Sequence, residues 1–229
     1  MSRRRRRMRR RASLWSRVRT ALLVLAGITA LSLAGLLASF SYAYYALADD
    51  LPDLDDYRSV ELAQTSVVYD ADGNVVDQLY GVQNRFVVEL DEIDPTLRNA
   101  VVAIEDHRFY QHRGVDFRAI LRAARTNIAT MSIREGGSTI TQQLIKNTYI
   151  AQEQRSVPSF QRKINEAALA WQYEKEHSKR EILEQYLNTV YFGRGAYGAE
   201  AAARTYFNKS AEDLTLPESA LLAGIINLP

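Results

Sequence analysis

Residues 105–114 read Glu-Asp-His-Arg-Phe-Tyr-Gln-His-Arg-Gly. Two adjacent carboxylates close an apolar run, and aromatics, a histidine and a glycine follow. Upstream, Leu97, Ala100, Val101 and Ile104 fall at i, i+3, i+4 and i+7, the spacing of one helical face. Asp94 is placed to cap that helix and Pro95 to open its first turn. Packing along the apolar face delivers Glu105 to the rim of a core. Desolvation there raises a carboxyl pKa, which suits a general base. Adjacent Asp106 is the natural comparison and is given no proton to carry. A bare Glu-Asp beside Arg108 is otherwise a surface acidic pair, but three further polar stretches downstream weigh against that.

The first is Gly-Gly-Ser-Thr-Ile-Thr-Gln-Gln at 136–143. The glycines free the backbone, and Ser138 or Thr139 can cap the helix that follows. Gln142, Gln143, Lys146 and Asn147 then present polar groups over its first turns. A helix start with hydroxyls and a lysine one turn on is a plausible phosphate cradle, or simply a capped helix. The second stretch lies in a helix expected over 159–176, with Phe160, Ile164, Ala167, Ala168 and Trp171 as its buried stripe. Arg162, Lys163 and Glu166 share another face, as a surface ion cluster or as a carboxylate beside two cations suited to a diphosphate. Between these stretches, 115–131 is an amphipathic helix. Phe117, Ile120, Leu121 and Ala124 oppose Arg118, Arg122 and Arg125, and the apolar face suits core packing and membrane contact equally.

Further on, Ser178 with Glu181 and Thr215 with Glu218 are capping boxes for two more helices. Ile182, Leu183, Tyr186, Leu187 and Val190 pack the first of them. Residues 193–198, Gly-Arg-Gly-Ala-Tyr-Gly, match a dinucleotide-binding fingerprint but lack the strand–turn–helix context it needs, so a tight packing turn is expected. Before the helices, 66–69 and 75–79 flank Asp70-Ala71-Asp72-Gly73-Asn74, a β-hairpin signal, with Phe86-Val87-Val88 as a candidate third strand. The fold class is therefore mainly α, with a small β-hairpin near the amino terminus.

The 229 residues include no cysteine, and the three histidines, 107, 112 and 177, have no metal-binding spacing. The net charge of +2 hides an asymmetry. Ten arginines and no acid occupy residues 1–20, leaving 19 basic against 27 acidic side chains, a net of −8. Residues 20–48 hold no charged side chain, more than the ~20 residues that cross a bilayer. The expected organisation is an arginine-rich cytoplasmic tail (1–19), one uncleaved transmembrane anchor (20–48) and an exported domain (49–229) on an acidic stalk. Trp15, Tyr42, Tyr44 and Tyr45 sit like interfacial aromatics. A cleaved signal peptide is the rival, but its core is usually only ~7–15 residues. Beside a membrane span, the arginines imply topology and anionic lipid, not nucleic acid.

Assembled, these stretches resemble the peptidoglycan glycosyltransferase domain (glycosyltransferase family 51) of class A penicillin-binding proteins and monofunctional glycosyltransferases. The carrying motifs are Glu-Asp-x-x-Phe-x-x-His-x-Gly at 105–114, Gly-Gly-Ser-Thr-Ile-Thr-Gln-Gln at 136–143, Arg-Lys-x-x-Glu at 162–166 and Lys-x-x-Ile-Leu-Glu-x-Tyr-Leu-Asn at 179–188. The resemblance implies a lysozyme-like fold. It also implies the polymerisation of lipid II into β-1,4-linked glycan with inversion, on the outer face of the cell membrane. By motif position Glu105 is the general base, and Glu166 assists at the donor diphosphate. Ser138, Gln143, Lys146, Arg162 and Lys163 line the phosphate-sugar groove. Expected companions are the growing glycan, the membrane and cell-wall synthesis proteins. A divalent cation, magnesium or manganese, is expected without a dedicated cage, and no organic cofactor. The stretch from Lys146 to Arg162, with Pro158, is a few residues longer than the family's usual spacing. The family pattern continues beyond Pro229, so the domain is expected to be truncated there. No Ser-x-x-Lys is present for a transpeptidase site. The competing functions are a lysozyme-like glycan-cleaving enzyme, which has no need of cations at a diphosphate, and a non-catalytic cell-wall scaffold.

Overall fold

The structure is a computed structural model that describes residues 63–130, 132, 136–149 and 160–227, together with helical residues at 19–20, 22–32, 34–35 and 38. Two compact units divide at residue 51. In the amino-terminal unit, Leu22, Leu23, Val24, Leu25, Ile28 and Leu31 are exposed along helical backbone. Among the described residues no helix is long and apolar enough to cross a membrane. The tail up to residue 18, positions 21, 33, 36–37 and 39–48 of the expected span, and the stalk up to residue 62 lie outside the described residues.

The second unit opens with β1 (Ser66–Tyr69) and β2 (Val75–Leu79), an antiparallel pair with Ser66 opposite Leu79. The Asp70 carboxylate accepts from the amides of Asp72 and Asn74, and Gly73 takes φ +85°. The turn is thus fixed by an Asx-type bond and a residue free to adopt positive φ. The expected third strand does not form. The Asn188 side chain instead pairs with both the amide and the carbonyl of Val88, at 3.1 and 2.8 Å, so an amide replaces a ladder.

Seven α-helices follow in the described residues: α1 (Pro95–Glu105), α2 (Phe117–Thr130), α3 (Ile140–Thr148), α4 (Phe160–Glu176), α5 (Lys179–Thr189), α6 (Ala199–Phe207) and α7 (Leu216–Ile225). α3 packs on both α4 and α5, and α1 packs along α7. The expected caps are present. Asp94 accepts from Thr96 N, and Thr139–Gln142, Ser178–Glu181 and Thr215–Glu218 form reciprocal boxes. The core joins Leu97, Val101, Phe109, Leu144, Ile145, Leu169, Tyr186 and Leu187 with the alanines of α6.

Two faces differ from expectation. On α1, Val102 is buried and Ile104 is half-exposed, because the helix leaves the core one turn before its end. On α4 the buried residues are Glu166, Leu169, Ala170 and Tyr173, whereas Trp171 is half-exposed beneath Lys175 Nζ. The helix is turned inward by a carboxylate that finds cation partners. Ile164 and Ala167 are left lining a shallow apolar hollow with Ile120 and Ala123 of α2. The Phe160 side chain lies outside the described residues.

Glycines make two of the close approaches. Gly114 has φ +71°, and a Cβ there would meet the Ala170 carbonyl at 2.6 Å. Gly198, closing the 193–198 turn at φ +89°, leaves 2.9 Å between a would-be Cβ and the Asn188 oxygen. That turn is a packing device, as its context implies.

Candidate active site

A cavity of about 590 Å³ opens where α1, α3, α4 and the end of α7 converge. Its wall includes Glu105, Ser138, Gln143, Lys146, Lys163 and Asn227. Each arrives there for a local reason. Glu105 is the last residue of α1. Thr139 caps α3 and donates to the Gly114 carbonyl at 2.5 Å, which fixes Ser138 at the cavity edge. Gln143 and Lys146 follow on successive turns of α3.

Glu105 is held on both oxygens. Gln143 Nε2 donates to Oε2 at 2.7 Å, and Asn227 Nδ2 donates to Oε1 at 2.7 Å. Burial pushes its carboxyl above the ordinary range, the two amide bonds oppose that, and the neighbouring Asp106 charge adds to it. The buried Tyr186 hydroxyl donates to Gln143 Oε1 at 3.1 Å, behind the amide. Burial raises the Tyr186 phenol well above its ordinary value, so it stays a donor.

Glu166 is not part of the cavity wall. It is 0% exposed, with one oxygen paired to Arg162 and the other accepting from Lys163 Nζ at 2.6 Å. Lys163 Nζ also donates to Ser138 Oγ at 2.8 Å and so reaches the cavity. The structure therefore brings Glu105, Ser138, Gln143, Lys146 and Lys163 together, and sets Arg162 and Glu166 behind them. A buried carboxylate with two cations is stable only while both remain, which makes Glu166 the support of that basic pair.

Asp106 is no spare carboxylate. Its oxygens accept from His112 Nε2 at 2.9 Å and from the first amide of α3, Ile140 N, at 3.2 Å. It ties the 105–114 stretch to α3, so it does not serve as a neutral comparison for Glu105. Sequence reasoning passed over Asn227 and treated Tyr186 as packing alone. Tyr186 lies within the fourth motif, whereas nothing local to Asn227 points to the cavity.

The described residues contain no group of three His, Asp or Glu side chains placed for a metal. The carboxylates of Glu105, Asp106 and Glu166 are already committed to amide, imidazole and cation donors. Among the described residues they build no dedicated cage for a divalent ion, and no step below runs through one.

Comparison with known proteins bears on the same residues. The transglycosylase family profile matches residues 72–229. The chain belongs to the transglycosylase family. Penicillin-binding protein 1A of Neisseria lactamica is 45% identical over 195 residues, covering 85% of this chain and 23% of that protein. Penicillin-binding protein 4 of Bacillus subtilis is 41% identical over 175 residues, covering 76% and 27%. The chain thus spans about a quarter of the length of these relatives. Penicillin-binding protein 1A of Haemophilus influenzae, a crystal structure, aligns at 26% identity over 75% of this chain and 15% of that one, with a TM-score of 0.35. All four motif stretches of this transglycosylase lie within the matched residues. Three of them, 105–114, 136–143 and 162–166, converge on the cavity or on the ion pairs directly behind it.

Proposed function

We propose that this transglycosylase polymerises lipid II into β-1,4-linked glycan, from a lysozyme-like domain held at the outer face of the cell membrane by its amino-terminal anchor. The observation that carries the reading is the Glu105 carboxylate, desolvated yet doubly hydrogen-bonded, facing a cavity that also holds Lys146 and Lys163.

In this reading Glu105 takes the proton from the 4-hydroxyl of the acceptor sugar. The hydroxyl oxygen bonds to the donor's anomeric carbon from the face opposite the leaving group, which inverts it. The bond from that carbon to the diphosphate oxygen breaks, and the electron pair leaves with the diphosphate. Lys146, Lys163 and Arg162 offset the charge that gathers there. Ser138 and Gln143 orient the sugar-phosphate and the base. Glu166 acts through the two cations it holds. The membrane assignment is supported by α2, where Phe117 is 77%, Leu121 72% and Ile128 78% exposed beside three arginines. An apolar face rimmed by cations fits a bilayer surface. Cell-wall synthesis proteins are the expected neighbours there.

Glu105→Gln tests the assignment. It keeps shape and accepts a hydrogen bond but takes no proton. It should fold as the parent does, still bind lipid II, and lose polymerisation by roughly 10²–10⁴-fold. A variant polymerising at the parent rate would move the base elsewhere. A parent that cleaves finished glycan and leaves lipid II monomeric would replace the synthetic reading with the hydrolytic one.

A further inference from the structure

Glu105 meets partners from three separate stretches. Gln143 reaches it from α3 and Asn227 from the residues after α7, each at 2.7 Å, and Tyr186 of α5 stands behind Gln143. We propose that Asn227 is a positioning residue for the base: together with Gln143 it clamps both carboxylate oxygens and aims the remaining lone pairs into the cavity. The proposal rests on the reading of Glu105 as the base.

Each carboxylate oxygen has two lone-pair sites in its plane. One amide donor on each oxygen leaves one site on each for the acceptor's proton, and it stops the carboxylate from rotating. Both clamping groups are neutral donors. They favour the ionised carboxylate against burial without introducing a cation that would compete for it. The direction of the Gln143 amide is set. The protonated Tyr186 hydroxyl faces Gln143 Oε1, which turns Nε2 toward Glu105. Asn227 stands two residues past α7, and α7 packs along α1, the helix that ends in Glu105. One helix pair therefore carries both the base and half of its clamp. The charged and titratable groups around Glu105 are Asp106 and His107 beside it, Arg122 of α2, Lys146 of α3, Lys163 of α4 and Tyr186 of α5. Asn227 does not titrate and bonds directly to Glu105, so removal of its amide is read first at the Glu105 carboxyl.

The experiment measures lipid II polymerisation by the full chain in detergent, as kcat and KM against pH, for the parent and for Asn227→Leu, Asn227→Gln and Asn227→Asp. The Leu variant lacks the donor at similar volume. Its kcat should fall on the order of tenfold on the acid side and recover at alkaline pH, with KM unchanged. The acid limb should move further up in the Asp variant, where a like charge faces Glu105, and return toward the parent in the Gln variant. A Leu variant with the parent's profile, or one slowed equally at every pH, overturns the proposal. If the Leu variant fails to fold, the near-isosteric Asp variant carries the test. Carbon-13 titration of the Glu105 carboxyl gives a readout free of activity: its midpoint should rise in Asn227→Leu. An unmoved midpoint overturns the clamp even if the parent is inactive. A moved midpoint in an inactive parent upholds the clamp and refutes the lipid II reading instead.

Discussion

Helices α2 and α3 are both amphipathic in sequence, and the fold treats them in opposite ways. α3 has nine residues, and Ile140, Thr141, Gln142, Leu144, Ile145 and Thr148 are buried. α2 has fourteen, and only Ala123 is buried. The difference lies in what meets each face. α3 is wedged between α4 and α5, starts in a reciprocal cap, and is tied to the first motif through Asp106 and Gly114. α2 starts against Asp116, whose carboxylate accepts from the amides of Arg118 and Ala119, and then runs along the surface with Phe117, Leu121 and Ile128 outward. Periodicity announces that a helix has an apolar face. It does not say whether protein or lipid covers that face.

The contrast is open to direct attack. The largest effect belongs to Leu144→Ala, which empties a fully buried site in α3 and should cost about 2–5 kcal/mol in urea unfolding. A loss no greater than that of a surface change would mean that α3 is not held between α4 and α5. The next effect concerns α7, which like α3 starts in a box. Thr215 and Lys209 hold the Glu218 carboxyl down to about 2, from an ordinary 4.5. A depressed carboxyl contributes stability that is complete above the unfolded value and lost as pH falls toward the folded one. Thermal stability should therefore decline between pH 4.5 and 2 in the parent, and Glu218→Gln should remove that part of the decline. An identical acid profile in the variant would assign the decline to other carboxylates. The smallest effect on stability is expected from Leu121→Ser on α2, within about 0.5 kcal/mol of the parent in detergent. The same variant should bind less to anionic vesicles. A cost comparable to Leu144→Ala would show that protein, not lipid, covers the α2 face.

What was legible in the sequence follows the range of each interaction. The caps at Asp94, Thr139, Ser178 and Thr215 and the turn at Asp70–Asn74 are satisfied within four residues, so local pattern predicts them. The buried face of α4 is set by Glu166 meeting its cations and by the Gly114 backbone pressing on Ala170, so the apolar stripe pointed the wrong way. The third strand failed because the Asn188 amide, 100 residues away, satisfies Val88 first. In the site, the motif residues were readable as types at fixed spacing. That Glu166 stands behind the cavity, and that Asp106 is structural, depends on which neighbours arrive. Asn227 follows a helix whose start was plain and whose destination was not. Of the long stretch before Arg162, residues 150–159 lie outside those described.

The bond from Asn227 to Glu105 spans 122 positions of chain, against 38 for the bond from Gln143. Synthesis runs at roughly 5–20 residues per second, so about 6–24 s separate the emergence of Glu105 from that of Asn227. A chain still being made therefore carries Glu105 with at most one of its two donors. The pair of donors on Glu105 is completed only after the α7 segment has left the ribosome and docked against α1, so this carboxylate gains its full set of partners later than the helix that carries it.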